Sequence, residues 1–99
     1  MTKRFVIATD PLSTDEEKAF IEFIKRYGWW HWLPNFWLAQ DSSDVLTVTK
    51  IRDEIHKINA AARAWVFEVE PVTWSALTKE DSQGRDGTDW MQRHFFKRD

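Results

Sequence analysis

The chain reads as an α+β sandwich in which two amphipathic helices cover one face of a four-stranded antiparallel sheet. Three observations lead there. Four short β-rich runs alternate with two helical stripes in the order β-α-β-β-α-β. Five of the seven tryptophans, Trp29, Trp30, Trp32, Trp37 and Trp65, fall in or beside those runs. Each helical stripe also follows a strand, so right-handed crossovers lay both helices on the same side of the sheet.

Lys3 to Thr9 (KRFVIAT) is the first strand, ended by Asp10-Pro11. Ser13 or Thr14 then offers an N-cap, and Thr14 with Glu17 fits a capping box. Asp15, Glu16 and Glu17 suit the positive end of a helix dipole. Phe20, Ile21, Phe23, Ile24 and Tyr27 form one apolar stripe, with Lys25 and Arg26 expected in the last turn and Gly28 as the stop. Trp29–Leu33 and Asn35–Gln40 read as a hairpin with Pro34 at its bend, since proline cannot occupy a paired ladder position. Asp41-Ser42-Ser43-Asp44 is a loop. Val48, Ile51, Ile55, Ile58 and Ala62 recur at helical spacing, so a second helix starts near Thr47. Ala61 to Val69 holds the last strand, clearest from Ala64, and Pro71 ends it. A short final helix is expected around Asp89 to Phe96.

This is the ferredoxin-like order with a C-terminal extension: one domain over residues 1–99, its core at about 3–70 and its tail at about 71–99. Alternation sends Trp30 and Trp32 to one side of the hairpin and Trp29, His31 and Leu33 to the other. In the last strand Trp65, Phe67 and Val69 oppose Ala64, Val66 and Glu68. Both faces of the sheet therefore carry large apolar groups, and the helices can cover only one. A docked tail pinned by Trp74 and Trp90, together with a homodimer, is the expected remedy, with Trp29, Trp30, Trp32, Trp37 and Trp65 also expected at the interface or under the tail.

Composition narrows the function classes. A net charge of −2, from 14 basic and 16 acidic side chains, argues against coating nucleic acid by bulk charge. The chain has no cysteine, which removes disulfides and thiolate metal sites. No apolar run approaches the ~20 residues of a bilayer span. The residues between Arg4 and Asp10 are too few for a signal peptide, so the expected location is the cytoplasm.

Tyr27-Gly28-Trp29-Trp30-His31, Phe36-Trp37-Leu38, Ile51-Arg52-Asp53, Trp74-Ser75 and Asp89-Trp90-Met91 together resemble the small bacterial SinR-like proteins. Those run through "WWH", "TWL", "IRD", "WSG" and "DWL" in the same order. Phe36 stands here where Thr or Ser is common and Ala76 where Gly is common, and the loops before Ile51 and Trp90 are longer. The resemblance implies a dimeric ferredoxin-like domain, distantly similar to the CRISPR-associated endoribonuclease-like subunit and to VapD-type toxins. It implies a setting in bacterial defence or mobile elements. It also implies that Asp10, at the end of the first strand, could meet its symmetry mate and share a Mg²⁺ in a ribonuclease site.

Each candidate residue has an ordinary reading beside the functional one. An Asp before Pro is a common turn starter. His31 suits acid–base work or phosphate binding, yet an imidazole packed between aromatics is as often structural. Lys50, Arg52, Lys57 and Arg63 could contact nucleic-acid phosphates, but charges of both signs on a helix are usually a solvated face, with Arg52-Asp53 as an ion pair. His31, His56 and His94 lack metal-ligand spacing, so no histidine metal site is expected. The expected function is a homodimeric interaction or assembly module. The alternatives are a Mg²⁺-dependent ribonuclease using paired Asp10 with His31, or a non-catalytic nucleic-acid binder.

Overall fold

Alternation in the first strand, β1 (Lys3–Thr9), puts Phe5 and Ile7 on one side of the chain and Val6 on the other, and the architecture grows from that split. The computed structural model describes residues 2–70 and 90–95. Helix α1 (Thr14–Ile24) returns the chain to β2 (Gly28–Leu33), which turns into β3 (Phe36–Asp41). Helix α2 (Val48–Ile58) then leads to β4 (Ala64–Val69). The strands order as β2-β3-β1-β4, with every pair antiparallel, which is the ferredoxin-like topology.

Both helices cover the face that carries Phe5 and Ile7. Phe20 and Ile24 of α1, Ile51 and Ile55 of α2, and Leu46 from the intervening loop bury themselves against Phe5, Ile7, Trp37 and Ala39. Trp37 is 1% exposed, with the Phe20 ring edge-on to it at 4.8 Å. Trp29 packs against this cluster too, so Trp29 and Trp37 are core residues of the helix-covered face rather than tail-docking ones.

The opposite face is covered over part of its area. Trp90 and a π-helical turn, Met91–Phe95, lie across it, and Phe95 is buried against Trp30 and Leu38. Val6, Phe36 and Val69 complete this second cluster. The expected final helix thus takes a wider form, and its proposed ends, Asp89 and Phe96, lie outside the described residues, as do Trp74 and the side chains of Trp32 and His94.

Local details depart from expectation in three places. The capping box sits one residue early: Ser13 accepts from the Glu16 N–H at 3.1 Å while the Glu16 carboxylate accepts from the Ser13 N–H at 2.8 Å. Helix α1 stops at Ile24 with Lys25 as its C-cap, because Tyr27 N–H bonds back only to Ile24 and tightens the turn. Gly28 therefore belongs to β2, where a Cβ would meet Gln40 Cγ at 2.8 Å. Finally, pairing slips between Trp30 and Leu33, so Leu33 faces Phe36 and shares its side of the sheet, opposite to simple alternation. The bend itself follows the sequence, with Pro34 first and Asn35 at a left-handed φ of 66°.

Candidate functional site

Asp10 closes the end of β1. Its Oδ2 accepts from Arg63 N–H and Nε, each at 2.9 Å, and its Oδ1 accepts from Arg63 Nη2 at 3.0 Å. Asp10 N–H in turn donates to the Arg63 carbonyl. The side-chain hydrogen bonds from Arg63, then its backbone N–H, hold this carboxyl below the usual range against a small burial effect. The ring of bonds clips the end of β1 to the chain entering β4. Both carboxylate oxygens are occupied by the chain's own arginine, so a cation would have to compete with Arg63 for them. Among the described residues, no group of three or more metal-ligating side chains converges.

His31 lies flat on Trp37, ring centroids 3.4 Å apart and planes 4° from parallel. Its Nδ1 faces the Phe36 carbonyl at 3.0 Å and its Nε2 faces Glu17 Oε2 at 2.9 Å. Both partners are hydrogen-bond acceptors. Glu17 comes from α1, so this pair joins the first helix to the hairpin. Asp10 and His31 are thus each engaged by a different partner, and neither hydrogen-bonds the other.

Three of the four candidate phosphate-binding residues have hydrogen-bond partners within the chain, two of them acidic. Arg52 pairs with Asp53 at 2.8 Å, as the sequence suggests; Arg63 holds Asp10; Lys50 Nζ donates to the Val45 carbonyl at 2.9 Å. Lys57 is exposed on α2. A half-open groove of about 420 Å³ runs between α2 and β4, lined by Arg52, Asp53, Ile55, His56, Ala62 and Ala64.

Asp41 carries the strongest polar constellation, and sequence reading placed it only in a loop. The carboxylate is 3% exposed. Its Oδ1 accepts from the Ser43 N–H and hydroxyl, and its Oδ2 from Val45 and Leu46 N–H at 2.8 and 2.7 Å. Burial pushes its pKa upward, but the donors from Leu46, Ser43 and Val45 outweigh it and lower the value to about 2. An Asp two residues before a Ser in a loop is the signal that could have found this turn. The role is structural: Asp41 seats Leu46 in the core.

The exposed apolar surface of β4 is aromatic. Trp65 is 71% exposed and Phe67 51%, their rings stacked with centroids 6.1 Å apart on the face opposite the helices. Both belong to β4, at one edge of the sheet. Among the described residues, no helix is long and apolar enough to cross a membrane. No protein-family model matches this chain, and neither the curated proteins nor the solved structures contain a match to it.

Proposed function

We propose that the chain is a small interaction or assembly module that acts as a homodimer, of the SinR-like type and in the bacterial defence or mobile-element setting which that resemblance implies. The observation that carries this reading is the exposed Trp65–Phe67 stack beside the Trp30–Leu38–Phe95 cluster on the same face of the sheet. Two rings of this size left in water forgo a few kcal/mol at ~25 cal/mol per Å², and association recovers it. The internal pairing of Asp10 with Arg63 and of His31 with Glu17 further supports a non-catalytic module. Sedimentation equilibrium tests it: the expected mass is twice that of the protomer, and a monomer at every concentration overturns the reading. RNA cleavage by the wild-type protein that disappears in a folded Asp10→Ala variant would also overturn it.

A further inference from the structure

The two strands at the sheet's edges among the described residues are built differently. β2 is interrupted by the slip between Trp30 and Leu33 and runs into Pro34, features that discourage further strand pairing. β4 pairs with β1 in unbroken register from Ala64 to Val69 and contains no proline, lysine or bulge.

Hydrogen-bond parity shows what that edge offers. Asp10 N–H donates to the Arg63 carbonyl and Thr9 N–H to the Asn35 carbonyl, so even-numbered residues of β1 turn their backbone groups to β4 and odd-numbered ones to β3. By the alternation of antiparallel ladders, Trp65, Phe67 and Val69 then bond to β1. The N–H and C=O groups of Ala64, Val66 and Glu68 point outward, and among the described residues no strand receives them.

We propose that this edge pairs antiparallel with β4 of a second copy, about a two-fold axis through Val66, joining the two sheets into one. The inference rests on the homodimer reading and specifies its surface. A continuous sheet requires paired residues to share a face, and the backbone parity requires the outward groups to meet one another. Centring on Val66 satisfies both. Val66 then faces its own copy and Ala64 faces Glu68, so no like charges are opposed. Trp65 comes opposite Phe67 of the second copy, and the two exposed stacks merge into one aromatic cluster across the axis. The rings supply roughly 300 Å² per copy of the ~800 Å² that a standard interface needs. The strand edge and the flanks of α2 provide the rest, and those flanks carry both signs at Arg52 and Asp53.

The test combines mass with amide exchange on the wild-type protein. Expected is a dimer in which the Ala64, Val66 and Glu68 amides exchange at least ~10-fold more slowly than after dilution to monomer. The Trp65 and Phe67 amides, bonded to β1, serve as internal controls that stay protected in both states. Glu68→Pro removes an outward N–H and no bond to β1, so it should abolish the dimer while leaving the circular dichroism spectrum unchanged. The chain has no cysteine, so Val66→Cys should oxidise to a single cross-linked dimer and Glu22→Cys, on exposed α1, should not. A dimer with fast-exchanging Ala64, Val66 and Glu68 amides, or one that survives Glu68→Pro, overturns the edge pairing and leaves the homodimer standing. A monomer under all conditions overturns both, and a heterologous peptide that protects those amides in such a monomer would identify a different occupant.

Discussion

The two faces of this sheet solve the same problem with unequal means. On one, α1 and α2 bring Phe20, Ile24, Ile51 and Ile55 over Phe5, Ile7, Trp37 and Ala39, and burial there is essentially complete. On the other, one π-helical turn brings Phe95 over Trp30 and Leu38, while Trp65 and Phe67 on the edge strand stay exposed. The difference teaches that cover is set by reach. The crossover helices are tied to the sheet at both ends, whereas the described turn, Met91–Phe95, shelters Trp30 and Leu38 with Val6, Phe36 and Val69 at its margin and does not reach Trp65 and Phe67.

Mutations on each face sharpen that contrast. The largest effect is expected from Phe20→Ala, which empties a fully buried site under Trp37 and should cost about 3–5 kcal/mol in urea unfolding. Asp41→Ala should come next, at about 2–3 kcal/mol, because the buried amides of Val45 and Leu46 lose their acceptor. Asp41 also sets a pH dependence. Its folded pKa lies below the unfolded one, so the stability it contributes, roughly 2 kcal/mol, is fully present above about pH 4 and is lost as pH falls through about 2. Unfolding at several acidic pH values reads this directly, and the Asp41→Ala variant should have a flatter acid limb than the wild type.

On the other face, Phe95→Ala should cost about 2 kcal/mol, less than Phe20→Ala because its cluster is smaller and sits nearer solvent. Truncation after Leu77 removes Trp90, Met91 and Phe95 together, and should uncover Trp30 and Leu38 and promote aggregation measurable by light scattering. An equally soluble and stable truncated chain would erase the contrast between the faces. The smallest effect on protomer stability, within about 0.5 kcal/mol, is expected from Trp65→Ser, since that ring is already wet. Its consequence should appear instead in the association constant. A Trp65→Ser protein that dimerises as well as the wild type would mean that the exposed stack serves no interface.

Much of this architecture was legible in local pattern. The stripe Val48, Ile51, Ile55, Ile58 and Ala62 marked α2 and its start near Thr47, although the helix ends at Ile58 and Ala62 lies beyond it, and alternation in AWVFEV assigned both faces of β4. Leu33 was misplaced because a bulge changes facing without changing composition. The Asp10–Arg63 and Glu17–His31 pairs were hidden because their members lie 53 and 14 residues apart, and only folding makes them neighbours. Asp41 looked like one more loop acid; its importance comes from the amides that converge on it.

Residue order alone determined the succession of strands and helices and the presence of aromatic groups on both sides of the sheet. Periodicity and the handedness of crossovers are properties of neighbouring residues, so they survive without coordinates. Tertiary structure decided which rings are sheltered, which carboxylates are already engaged and which strands lie at the sheet's edges among the described residues. Those outcomes depend on what arrives from distant parts of the chain to compete for the same surface or the same proton donor.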